Sequence, residues 1–337
     1  MTSKRYLGNI ITDNPTAPTE NFEDSAASGV WSLAEAFAYT KAELWPTAGN
    51  VAPIGLFGLG NNNLTAIDKI LISSEGNATD FGDLTVAGDR RSACASATRG
   101  VFGNAYTGSH SNVLAYVTIK TEGNAQDFGD LLNSEWRAAC SSSTRGVFSG
   151  GTNNTIEYIT IASTGNGTDF GDSTHIRFSI GACSSSTRGV FGGGFSMTTF
   201  TEQNIIDYIT IASTGNATDF GNLTDARAHL SACSSSTRGV FGGGDESSFI
   251  NTMDYITIAS TGNASDFGDL TVARRGSGAC SSSIRGVWGS GNTSSGRTNI
   301  IDFVNIASAG NASDFGDMTT NTDDVGGLSN AHGGLAA

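Results

Sequence analysis

Several residue types in this chain have the chemistry to do more than pack, and most of them recur at a fixed spacing. An Asp-Phe-Gly triplet appears six times, around Phe81, Phe128, Phe170, Phe220, Phe267 and Phe315. In protein kinases that triplet holds a metal ion. It does so together with a lysine, a catalytic loop and a glycine-rich nucleotide loop, and these do not occur in order here. Asp169 and Asp172, with their equivalents Asp219, Asp266 and Asp269, have the oxygen chemistry for Ca2+. Asn222 replaces one of those carboxylates, and turn capping accounts for the others. The repeated Asn-Ala-Thr and Asn-Ala-Ser strings match a glycosylation acceptor, but each follows a glycine and reads as a turn. His110, His175, His229 and His332 show no zinc spacing. No nucleophile, base and acid stand together, and the many acids offer no unique pair for glycoside cleavage. No cofactor is implied.

What positions these residues is a unit of roughly 47 residues written six times. The pair Gly-Asn begins at Gly76, Gly123, Gly165, Gly215, Gly262 and Gly310, in steps of 47, 42, 50, 47 and 48. A residue used in every repeat usually solves a folding problem. Cys94, Cys140, Cys183, Cys233 and Cys280 occupy one repeat position each, an odd count at register positions that is unlike a disulfide framework. They read as small buried packing residues suited to a reducing compartment.

Each unit holds four short strand signals. In the clearest copy these are SACSSST, then RGVFGGG, then IDYITIAS from the preceding turn, then ATDFGNLT with Phe220 and Leu223. Thr-Arg-Gly, the glycine run and Ser-Thr-Gly-Asn mark the turns between them. Four antiparallel strands in about 47 residues make one propeller blade. Ser, Ala, Cys and Gly suit the crowded inner strands, whereas the six outer phenylalanines wedge between neighbouring sheets. Each buried ring contributes about 2–3 kcal/mol, so these six are core rather than a ligand cage.

The count of segments bears on closure. SACSSST occurs five times, and the first unit has Ile54-Gly55-Leu56-Phe57 with no inner strand before it. In the tail GGLSNAHGGLAA, Leu328 aligns with Cys280, and Gly334 and Leu335 align with Gly286 and Val287. The tail therefore supplies the missing inner strand and seals a six-bladed, all-β ring over residues 51–337. A seventh, irregular blade forms instead if the tail pairs with N-terminal residues. The net charge of -14, with only 18 Lys and Arg, argues against nucleic acid. No apolar run of membrane-spanning length occurs, and the N-terminus lacks the apolar segment of a secretory signal.

The units resemble the kelch-like propellers in blade length and in the glycine run after an apolar pair (Gly192-Gly193-Gly194, Gly242-Gly243-Gly244). A junction arginine (Arg227, Arg274) adds to the likeness. They depart from that pattern in lacking the Trp after the third strand.

Residues 1–50 do not repeat. Ser32 with Glu35 three residues on forms a capping box, and Pro46 stops the helix that begins there. Trp31, Leu33, Phe37, Leu44 and Trp45 give this short amphipathic element anchor-type side chains. It either plugs the base of the ring or docks on a partner or on sister subunits. The string GVWSLAEAFAYTKAELWP resembles an element of structural proteins of tailed phages, especially marine ones, where it lies beside variable domains. The resemblance implies a virion component of the tail, fibre or neck appendage, assembled in the host cytoplasm and carried on the particle. Its partners would be other virion proteins, further copies of itself, and a host-surface protein or glycan.

The most variable stretches join the second and third strands, at Gly103–Asn112, Ser149–Asn154, Phe195–Asn204, Asp245–Asn251 and Asn292–Asn299. On a propeller they emerge on one face. Tyr106, His110, Phe195, Met197, Phe200 and Phe249 lie in them, apolar or aromatic for the most part where loop tips are usually polar. These are the candidate receptor or subunit contacts of a module that binds and is not an enzyme. The alternatives are an enzyme of the galactose oxidase-like or glycan-cleaving propeller type, and a cellular interaction scaffold.

Overall fold

The computed structural model describes residues 17, 31–42, 44–45, 52–60, 64–103, 105–106, 108–134 and 136–335. Chain contacts separate a unit Met1–Ala52 from a unit Pro53–Ala337. The second unit is a six-bladed β-propeller, built of six four-stranded antiparallel sheets. Blade 2 shows the plan, with Ser92–Ala95 innermost, followed outward by Arg99–Gly103, Val113–Thr118 and Gln126–Asp130. The inner strands of blades 3 to 6 are Ala138–Ser141, Gly181–Ser184, Ser231–Ser234 and Gly278–Ser281.

Blade 1 closes the ring as the segment count requires. Its inner strand is Gly326–Ser329 from the tail, paired with Ile54–Gly58 in the register Leu56 to Leu328. The same register pairs Val101 with Cys94 in blade 2, so Leu328 takes the cysteine's seat. There is no seventh sheet of this kind among the described residues. Gly334 and Leu335 do not extend a second strand, because Ile54–Gly58 already fills that place. Gly333–Leu335 instead form one 3-10 turn.

Side chains on the inner strands key each blade into the next. A Cβ added to Gly146, Gly189, Gly239, Gly286 or Gly55 would lie 2.5–2.7 Å from the sulfur of Cys94, Cys140, Cys183, Cys233 or Cys280 respectively. On Gly100 it would meet Leu328 at 2.9 Å, which completes the cycle of six. The Thr-Arg-Gly glycine is therefore needed for space. All five thiols are free and buried, and burial pushes Cys94 and Cys183 up to about 12. The outer phenylalanines are buried between sheets; Phe81 packs with Ala95, Phe102 and Val117 of blade 2. Asn of each Gly-Asn turn accepts a neighbouring backbone N–H, as Asn124 does from Asp83 at 3.0 Å and Asn77 from Asp317 at 3.1 Å. That is the turn role expected of the acceptor-like strings.

Arginines fasten the outside. Arg99, Arg145 and Arg188 donate to the carbonyls of Ile161, Ile211 and Ile258 in the next blade, at 3.0, 2.8 and 2.8 Å. Each also lies 4.2–4.3 Å above a tyrosine ring of its own blade. Deeper in, fully buried pairs join Arg227 to Asp254 at 2.9 Å and Arg274 to Asp302 at 3.1 Å. In blade 3 Arg137 reaches Glu157 at 3.1 Å from three residues later in the repeat, which restores the pair despite a shorter connection.

A garland of serine hydroxyls circles the axis. Ser141, Ser184, Ser234, Ser281 and Ser329 each donate to the carbonyl one blade back. Ala95 has no hydroxyl to give, and beside it the tail inserts His332. Gly334 N–H donates to His332 Nδ1 at 3.1 Å, so Nε2 carries the proton and donates to Ala95 O at 2.9 Å. Burial holds the imidazole neutral down to about pH 4, although the Ala95 carbonyl pulls the other way. A free histidine protonates near 6.5, so this contribution is complete above that pH and is lost as pH falls towards 4. The ring keeps partial access to solvent, which limits the effect to on the order of 1–3 kcal/mol. Between pH 7 and 4 the native chain should lose more stability than His332→Gln in urea titrations. Equal losses would contradict this role.

In the first unit, Leu33–Lys41 is a helix with Ser32 at its N-cap and the full capping box with Glu35. Trp31 meets Tyr39 and Trp45 edge-on, with centroids 5.3 and 5.4 Å apart. The helix buries none of its residues; Leu33 is 88% and Phe37 69% exposed. Leu44 is half-buried and its N–H bonds Tyr39 O at 2.9 Å. Gly29, Val30 and Glu43 of the phage-like string, and the stop at Pro46, lie outside the described residues. No helix among the described residues is long and apolar enough to cross a membrane.

Candidate functional site

The axial channel is narrow. Successive cavities of about 90, 110 and 50 Å³ run from the loop face to the end beside His332. Small-molecule sites usually enclose about 300–1,000 Å³, so these channel cavities are too small to enclose a drug-sized molecule. The loop face is built by two kinds of connection, the loops between second and third strands and those leading from one blade into the next.

The second kind places one residue per blade at the channel mouth, four before the inner-strand cysteine or its equivalent. These six are Arg90, Trp136, Ser179, His229, Gly276 and Asp324. Arg90, Ser179, His229 and Asp324 hold φ between 54° and 59° despite carrying side chains, and Gly276 has φ of 65°. Five of the six positions thus share one local frame, while the side chains differ at all six. Backbone pairing adds a second tier above the blades. Asp89 pairs with Tyr106, Phe178 with Phe195, Ala228 with Asp245 and Arg275 with Asn292.

One half of the face is aromatic. Rings follow one another from Tyr106 to His110, Trp136, Phe178 and Phe195 at centroid distances of 5.0, 5.2, 4.6 and 5.4 Å. The Arg90 guanidinium lies 4.0 Å over Trp136 and 5.3 Å from Tyr106. The indole N–H of Trp136 is buried and has no hydrogen-bond partner among the described residues. The other half is ionic. His229 Nδ1 donates to Asp245 at 2.8 Å, and Arg275 donates to the other oxygen of Asp245 at 2.6 Å. Burial alone would raise Asp245, but these two partners outweigh it and hold the carboxyl below its usual range. Asp324, 3.5 Å from Arg90 Nε, is pushed up, first by burial and then by Asp323. Burial likewise raises Asp89.

The candidate contacts read from sequence are therefore partly assembled. Tyr106, His110 and Phe195 join one ridge. Phe249 stands apart, with Arg275 5.4 Å over its ring. Met197 is half-buried and Phe200 is 70% exposed at φ of 56°, both on the tip of the blade 4 loop. Arg90, Trp136, Phe178, His229, Asp245 and Arg275 were not among the sequence candidates. Their signal is variation at a fixed offset from an unvarying cysteine. In blade 6 the stretch Asn292–Asn299 is no loop. The strands Arg285–Thr293 and Gly296–Asn305 run on as one hairpin with Ser294 and Ser295 at its tip. Among the described residues no group of three His, Cys, Asp or Glu is placed to hold a metal ion.

The fold and this face define a six-bladed propeller with one elaborated face. No protein-family model matches the chain, and no curated protein matches it.

Proposed function

We propose that this chain is a virion structural protein, a component of a tail, fibre or appendage, whose propeller is displayed as a recognition module. The observation that carries the binding role is the contrast between frame and face. Cysteine, glycine, serine, phenylalanine and arginine repeat from blade to blade because each makes the same contact, whereas the six mouth positions carry six different side chains. A rigid scaffold with variable groups at one end suits binding, with aromatic rings and Arg as anchors. The virion assignment rests on the likeness of GVWSLAEAFAYTKAELWP to phage structural proteins, and the exposed Leu33 and Phe37 suit docking on a neighbouring virion protein. The kelch-like kinship belongs to the same proposal and rests on the glycine runs. The face would meet a host-surface protein or glycan.

Deleting residues 1–46 should leave a propeller with native circular dichroism that is no longer incorporated into particles. Normal incorporation of that variant would overturn the attachment role of the segment.

A further inference from the structure

A wider opening than the channel mouth lies on the loop face between blades 5 and 6. It is a cleft of about 510 Å³ lined by Asp245, Glu246, Ser247, Ser248, Phe249 and Arg275, with Ser294 of the blade 6 hairpin at its rim. We infer that this cleft is a binding site for an uncharged hexose unit of a saccharide. The inference deepens the recognition reading and rests on it.

Both walls are built before any ligand arrives. Asp245 exchanges two backbone hydrogen bonds of 2.9 Å with Ala228, and Ile250 N–H closes the loop on Gly244 O at 2.9 Å. Arg275 exchanges backbone bonds of 3.0 and 2.8 Å with Asn292, which ties it to the opposite wall. Its side chain crosses to Asp245, itself fixed by His229. The guanidinium is therefore positioned over Phe249 by two further groups in a chain, Asp245 and behind it His229. Preorganisation of this kind removes an ordering cost that a ligand would otherwise meet.

The lining chemistry selects the class. A hexose offers an apolar C–H face and a rim of hydroxyls that both donate and accept. The cleft offers one aromatic ring, three serine hydroxyls that do the same, a carboxylate on Glu246 that accepts and a guanidinium that donates. A protein partner would instead want several apolar anchors in dry pockets, and only Phe249 is of that kind here. Arg275 is already neutralised by Asp245, and the chain carries a net charge of -14, so an acidic sugar is disfavoured.

The test is saturation-transfer NMR on the full chain with the methyl glycosides of glucose, galactose and mannose and with N-acetylglucosamine. Transfer to at least one probe is expected. Phe249→Ala and Arg275→Ala should each weaken it at least tenfold with unchanged thermal unfolding, and Ile284→Ala, exposed on the turn between the first two strands of blade 6 and away from the loop face, should leave it intact. No transfer to any probe, or transfer indifferent to Phe249→Ala and Arg275→Ala, overturns the inference. If the sugars fail while the purified chain still competes with particles for cell adsorption, the saccharide cleft falls and the recognition reading stands. If competition fails too, both fall.

Discussion

Removal of residues 326–337 is expected to abolish the folded ring outright. Those residues supply the inner strand of blade 1, whose four-residue register with Gly55–Gly58 joins the two ends of the propeller's chain. Their loss exposes Leu56 and Phe57, takes Leu328 from its seat beside Gly100, and leaves Ile54 N–H without Asn330. Loss of one buried leucine side chain costs about 2–5 kcal/mol, and a missing strand adds its hydrogen bonds and the exposed faces of two blades. Domains are stable by only about 5–15 kcal/mol, so the sum exceeds what the ring can spare. Thermal unfolding followed by circular dichroism, with size-exclusion chromatography, should show no cooperative transition for this variant. Deletion of 332–337 keeps the strand and removes only His332 and the 3-10 turn, and it should fold with a lowered midpoint. Equal midpoints for the native chain and the 326–337 deletion would refute closure by the tail.

Arg227→Met should cost about 3–5 kcal/mol, a loss at the upper end for a single substitution. Arg227 is fully buried and donates to Thr252 O at 3.1 Å and to Asp254 at 2.9 Å, with a longer contact to Phe241 O. Asp254, also fully buried, takes its remaining bonds from the Thr224 hydroxyl and N–H at the end of blade 4. The pair thus spans the junction of two blades. Truncating the arginine leaves a buried carboxylate facing no cation, and that uncompensated charge accounts for most of the loss. Arg227→Met combined with Asp254→Asn should recover a large part of it, because the penalty belongs to the orphaned charge. Urea unfolding of the two singles and the double gives the cycle. A loss below about 1 kcal/mol for Arg227→Met would place the junction's stability elsewhere.

Much of the frame was legible in the sequence, for physical reasons that can be named. Cysteine at one register position reads as packing because repeats cannot bring equivalent residues together to bond, and each sulfur does rest on a glycine of the next blade. Leu328 aligned with Cys280 announced the seam, and Ser32 with Glu35 announced the helix start. The face was less legible. Arg90 and Trp136 stack although 46 residues separate them and neither belongs to the repeat's constant part. Only the geometry of the ring makes them neighbours. Trp136 and Arg137 were obscured further because blade 3 is shorter and its arginine reaches the buried acid from another position. His332 fits no repeat position because it enters the channel after the seam, where its partner is the one inner strand with alanine in place of serine.

Cryo-electron microscopy of phage particles purified from the source of this sequence tests the proposed virion role most directly. The recognition reading predicts a six-bladed ring on an appendage, with the helix Leu33–Lys41 against a neighbouring virion protein and the face bearing Trp136 and Phe249 turned outward. A particle that lacks the chain, or one in which that face is buried against another subunit, would contradict it.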